Sequence, residues 1–173
     1  MEPPSVLVRF SETDPVKMLA VAAALSLLPL IQLGAQGRGP PLRVKGQQSL
    51  AFNTLLPGVS EQVPRTDPAR SGQLEIRGAK NAQLMIQFLL PQEMTGPNGA
   101  VIPLVFGPDD AGFATSQRRG SQQGFDPSAP YTVFLPTNGH GFVFIGGTAQ
   151  PRVSQPAGNY SATVTLIVAD PGT

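Results

Sequence analysis

The sequence contains no cysteine and no tryptophan, a single histidine and two tyrosines, and charged residues fill only 13% of its 173 positions. Without cysteine there is no disulfide framework and no thiolate metal site. The lone histidine, His140, lies in a glycine-flanked turn, Asn138-Gly139-His140-Gly141, and histidine chemistry needs positioned partners that nothing nearby supplies. A net charge of +1 leaves no electrostatic footprint for nucleic acid or an anionic membrane. Arg118-Arg119 is one basic pair, with only Phe113 and Phe125 as neighbouring aromatics, too little for a base-stacking platform. Asp109-Asp110 lacks the spaced acidic loop that calcium requires and reads as a solvated loop. No glycine-rich phosphate loop follows a strand and opens a helix. No catalytic, cofactor or metal set emerges, so the chain reads as a non-enzyme.

Glycine and proline, by contrast, are abundant. There are 19 of each, spread along the chain, beside a hydrophobic content of 40%. That aliphatic content is too high for disorder, and turns distributed this way favour short strands over helices. From residue 36 onward no segment keeps a helical period long enough for a helix.

Residues 17–35 have the three parts of a secretory signal: Lys17, an apolar run from Met18 to Leu33 broken by Pro29, and a small-residue end at Gly34-Ala35. The run is short for a bilayer span, which needs about 20 residues. Cleavage is expected after Ala35. Glu2, Glu12 and Asp14 put acid ahead of the signal, which suggests that translation starts at Val16 through a non-standard start codon. The expected organisation is therefore a leader over 1–35 and one domain over 36–173. Its ten Lys+Arg and eight Asp+Glu leave +2, and its length suffices for a core burying roughly two-thirds of the unfolded surface.

Within that domain, alternation of apolar and polar residues marks the strands. Leu42, Val44, Leu50 and Phe52 alternate imperfectly with polar residues, as one long strand or two short ones. Residues 73–77 and 82–90 alternate well, and Gly78-Ala79-Lys80-Asn81 joins them at hairpin length. Pro91 stops the second of these strands. Asn98-Gly99 is the strongest turn signal, and residues 100–106 form a short strand, peripheral or bulged at Pro103. Residues 107–129 are polar and glycine-rich and read as a long exposed excursion. Residues 131–135 and 141–145 flank a turn and read as a hairpin, and Gly146-Gly147 suggests a bulge or a close backbone approach.

The last strand is the clearest. Tyr160, Ala162, Val164, Leu166 and Val168 alternate with Ser161, Thr163 and Thr165, giving one apolar and one hydroxylated face. Roughly seven or eight strands separated by turns predict an all-β fold, an immunoglobulin-like β-sandwich, with a closed barrel as the alternative.

Several stretches together resemble a known family. They are Leu50-Ala51-Phe52-Asn53-Thr54-Leu55-Leu56-Pro57-Gly58, Ile76-Arg77-Gly78, Phe144-Ile145-Gly146-Gly147-Thr148-Ala149 and Gly158-Asn159-Tyr160-Ser161-Ala162-Thr163-Val164-Thr165-Leu166. They are similar to the spore-coat-U-like bacterial pilins of the archaic chaperone–usher type, over roughly residues 42–169. Asn53 stands where that family usually has glycine, and the cysteines common in archaic pilins are missing.

The resemblance implies a sandwich that lacks its final strand and is completed by a donor strand from a neighbouring subunit. Chaperone–pilin complementation is an established example of such β-strand addition. On that reading Leu42, Val44, Leu50 and Phe52 are the donor side, and Tyr160, Val164, Leu166 and Val168 line the acceptor groove. The partners would be copies of the chain itself, with an export chaperone and an outer-membrane usher. The destination would be a secreted, extracellular surface filament reached through the periplasm. Two readings stay open beside it. Residues 42–52 could pair within their own chain, and the domain could be a monomeric exported module binding carbohydrate or another envelope component through residues 107–129.

Overall fold

The computed structural model describes residues 6–11 and 40–171. The expected export signal, its cleavage after Ala35 and the expected start at Val16 lie outside the described residues. No helix among those described is long and apolar enough to cross a membrane.

The fold is all-β. In chain order the strands are β1 Val6–Ser11, β2 Arg43–Gln48, β3 Glu61–Val63, β4 Gly72–Arg77, β5 Gln83–Leu89, β6 Glu93–Thr95, β7 Val101–Val105, β8 Ala111–Ala114, β9 Gln123–Phe125, β10 Tyr131–Phe134, β11 His140–Ile145, β12 Gly147–Ala149 and β13 Tyr160–Ala169. They form two sheets. The smaller runs β2-β4-β11-β8-β9, and the larger contains β10, β5, β13, β6, β7, β12 and β3, with β1 added against β13. Every pairing is antiparallel except that of β1 with β13, which is parallel.

The two sheets share one core. Leu74, Ile76, Val143 and Ile145 from the smaller sheet lie in the same buried cluster as Leu84, Ile86, Phe88, Val164 and Leu166 from the larger. β5 shows why: Leu84, Ile86 and Phe88 are buried while Gln83, Met85, Gln87 and Leu89 are exposed, as its period of two requires. Phe125 adds an aromatic seam, its ring stacked on Tyr131 at 4.3 Å and on Phe88 at 6.4 Å.

Three connections differ from the sequence-based expectation. Residues 78–82 do not close a hairpin, because β4 pairs in the smaller sheet and β5 in the larger. Residues 136–139 likewise carry the chain from β10 in the larger sheet to β11 in the smaller. A tight turn reverses the chain whichever layer comes next, so turn length alone does not decide pairing. The Asn98-Gly99 turn does close a hairpin. Both residues have positive φ, 53° and 74°, the Ala100 N–H donates to the Pro97 carbonyl at 2.9 Å, and β6 pairs with β7, the geometry of a primed turn.

The third difference is the segment 107–129, which is not an exposed excursion. It contributes β8 and β9 to the smaller sheet and buries Phe113 and Phe125. Asp110 is 8% exposed; its Oδ2 accepts the Gly107 N–H and its carbonyl accepts the Gly146 N–H, both at 2.7 Å.

Gly146 is where the chain leaves β11 for β12 and changes sheet. A Cβ there would lie 2.3 Å from the Val63 carbonyl oxygen and 2.6 Å from the Arg65 nitrogen, so backbone approaches backbone as Gly146-Gly147 suggests. Asn53 adopts φ 55°, the left-handed region that asparagine tolerates among non-glycine residues. A glycine would hold the same backbone path.

Candidate functional site

The candidate site is the edge of β13. A strand residue offers one partner on each edge, and two positions on β13 use both. Ser161 pairs with Thr95 of β6 and with Leu7 of β1, while Thr165 pairs with Leu89 of β5 and with Ser11 of β1. Hence β5 and β6 lie along one edge and β1 along the other. β5 and β6 act as one interrupted strand: the step from Leu89 to Thr95 spans six residues while their partners, Thr165 and Ser161, are four apart. Pro91 falls in that break and cannot donate to the ladder.

The opposite edge is completed by a remote segment. Val6, Val8 and Phe10 pair with Tyr160, Ala162 and Val164, and Leu7, Arg9 and Ser11 pair with Ser161, Thr163 and Thr165. Residues 12–42 separate β1 from the next strand. Among the described residues no strand pairs with 166–169 on that same edge.

The face below this edge is apolar. Tyr160, Val164 and Leu166 are buried, and Val168 packs partly buried against the core. The Tyr160 hydroxyl donates to the Pro156 carbonyl and accepts from Gln155 Nε2, both at 2.7 Å. This satisfies the one polar atom on a buried ring and ties the start of β13 to the turn before it. Ser161 and Thr163 are exposed on the other face and Thr165 is half-buried.

Leu42, Val44, Leu50 and Phe52 lie elsewhere. β2 pairs with β4 in the smaller sheet, so Val44 sits opposite Ile76 of its own chain. Leu42 and Val44 pack partly buried against the core, and Leu50 and Phe52 are fully within it. The structure therefore brings the four residues expected to line a groove together on β13. It does not bring the four expected donors to that groove, because Val44 is already paired within its own chain and Leu42, Leu50 and Phe52 are packed on or in its core. The segment that does occupy the edge, Val6–Ser11, lies within residues 1–35, which the sequence reads as leader; its own alternation, Val6, Val8 and Phe10 against Arg9 and Ser11, is the signal that could reveal it, blurred by Leu7.

Sequence reasoning also missed a polar network on the smaller sheet. His140 opens β11 rather than ending a turn, and its register places it beside Arg77. The Glu75 carboxylate, only 5% exposed, takes the Arg77 Nε–H at 2.8 Å, the Gln47 Nε2–H at 2.8 Å and His140 Nδ1 at 3.1 Å. The Arg77 hydrogen bond, chief among these, holds the Glu75 carboxyl below the usual glutamate range.

Farther along the same face Arg119 lies 5.1 Å from the Phe144 ring centroid. It donates to Ser71 Oγ, Gln48 Oε1 and Gln73 Oε1, and burial pushes its guanidinium pKa down. Asp109 pairs with Arg65 at 2.7 Å. Among the described residues no group of three or more His, Asp or Glu side chains is placed to hold a metal ion. In comparisons with known proteins, no protein-family model and no curated protein matches the chain.

Proposed function

We propose that this chain is a structural subunit of a secreted surface filament, an immunoglobulin-like sandwich whose copies join by β-strand addition at the edge of β13. The observation that carries this reading is the β1–β13 pairing. The strands of residues 40–171 leave that edge without a partner, and a segment from far up the chain fills it. An unpaired edge on a long apolar-faced strand is a hazard that a protein must cover, and covering it with a separate segment is β-strand addition.

Two routes lead from this geometry to a filament. In the first, the same β1–β13 pairing is made with a neighbouring copy instead of within the chain. Export cleavage after Ala35, as the sequence suggests, would instead detach β1 and leave the edge open to a strand from another molecule. Either contact is head-to-tail, and a head-to-tail contact that does not close propagates as a filament. The resemblance to archaic chaperone–usher pilins supports the same reading, and with it an export chaperone and an outer-membrane usher as partners.

The test is to purify the mature protein from the cell surface, measure its intact mass, and look for fibres by electron microscopy and an oligomer ladder in unheated detergent. A synthetic peptide of residues 6–11 should compete for the edge and shorten the ladder. A strictly monomeric surface protein whose state ignores the peptide overturns the proposal.

A further inference from the structure

The smaller sheet carries a row of three basic residues in register. Arg43 of β2 sits directly opposite Arg77 of β4, and Arg77 directly opposite His140 of β11. Like charges directly opposite one another on paired strands repel, and the chain as a whole carries only +1. The single carboxylate in the cluster, Glu75, pairs with Arg77 and His140 and leaves Arg43 without a counter-charge among the described residues. Glu75 is buried beneath the row, with Oε1 occupied by Arg77 Nε and His140 Nδ1 and Oε2 by Gln47. Arg43 is exposed, and its side chain makes no hydrogen bond or ion pair with any described residue.

The row borders a cavity of about 290 Å³ lined by Pro40, Pro41, Arg43, Arg77, Asn138 and His140, together with Gly78 and Gly139. Glu75 fixes two of its walls in defined orientations. Because Glu75 engages Arg77 through Nε, the two terminal guanidinium nitrogens remain available. Because it engages His140 through Nδ1, Nε2 remains, an acceptor when the ring is neutral and a donor when it is protonated. Asn138 uses its Oδ1 to accept the His140 N–H at 3.0 Å, leaving its amide N–H groups to donate. Pro40 and Pro41 give one apolar wall.

We propose that this cavity binds a hydroxylated organic carboxylate the size of a single sugar acid. Two guanidinium groups side by side match a carboxylate, which each can grip through paired N–H donors. The volume sits at the small end of the range for ligand pockets, about 300 Å³, and exceeds what a bare ion needs. His140 Nε2 and the Asn138 amide suit ligand hydroxyls. The site lies on the sheet opposite β13, so its occupancy and the strand pairing at β13 are separable.

Titration of the full chain with glucuronate, glucose and inorganic phosphate, followed by amide chemical shifts, tests this. Glucuronate should saturate and move the amides of Arg43, Gly78 and His140, with glucose much weaker. Arg43→Gln should weaken glucuronate binding by about tenfold or more, the loss of one charge-assisted pair, with an unchanged melting temperature. Lys45→Gln, one row away and outside the cavity lining, should leave it unchanged. Glucose binding as tightly as glucuronate, phosphate binding alone, or glucuronate binding that ignores Arg43→Gln each overturns the proposal.

Discussion

Replacing Glu75 with glutamine probes a buried carboxylate that takes three donors. The carboxylate is 5% exposed and receives donors from Arg77, Gln47 and His140. Glutamine keeps the shape but exchanges one acceptor oxygen for an NH2 group, which then faces a donor from Gln47 or from Arg77. A buried donor left without an acceptor costs about 1–3 kcal/mol. Arg77 is 58% exposed and returns to water when released, so its share of the loss is small. The expected destabilisation at pH 7 is about 1–3 kcal/mol, or a fall in Tm of roughly 3–10 °C for a chain of this size.

The pH dependence follows from the depressed pKa. Glu75 titrates below its ordinary value of 4.5 when folded, so its contribution is complete above that value. It is lost as pH falls through the lower folded pKa. Below pH 4.5 the gap between wild type and Glu75→Gln reports the protonation of this carboxyl. Urea unfolding between pH 4.5 and pH 3 should show that gap shrinking as the pH falls. Equal stability at pH 7, or a gap that widens below pH 4.5, would refute the network's assignment.

Three further outcomes are expected. Gly146→Ala should cost about 1–3 kcal/mol or more in thermal unfolding, because the added Cβ meets only the backbone of residues 63–65, whereas Gly120→Ala, with nothing within 4 Å, should be near neutral. Arg119→Ala should cost about 1–3 kcal/mol and raise hydrogen exchange locally over residues 115–122, since its bonds to Ser71, Gln48 and Gln73 hold that loop to the sheet. Leu166→Asp should destabilise by about 3 kcal/mol or more and abolish the detergent-resistant ladder. Thr165→Asp, at a half-buried site, should do much less, and equal effects would contradict the face assignment of β13.

Much of the architecture is legible in the residues. The alternations at 82–90 and 160–168, the turn at Asn98-Gly99 and the close approach at Gly146 all follow from local chemistry. Layer assignment does not, because alternation says which face a residue occupies and not which strand lies beside it. That is why the turns at 78–82 and 136–139 read as hairpins yet carry the chain between sheets. Residues 107–129 misled through composition: Phe113, Phe125 and a packed Arg119 sit among glycines and polar residues whose own backbone bonds to the sheet leave no trace in sequence. The basic row was invisible for a similar reason, since Arg43, Arg77 and His140 meet only through the register of β2, β4 and β11. β1 was obscured by its position ahead of an apparent export signal.

The account rests on which segment completes β13, and the absence of native cysteine makes that directly measurable. Val8 and Ala162 are register partners, whereas Val44 is paired to Ile76 in the other sheet. The double variants Val8→Cys/Ala162→Cys and Val44→Cys/Ala162→Cys should be oxidised and compared on non-reducing gels, with the shift in mobility separating links within a chain from links between copies. In the uncleaved full chain, which retains β1, the first pair should cross-link quantitatively, and the second should stay reduced. Cross-linking through Val44 with none through Val8 would contradict the account and return the donor role to residues 42–52.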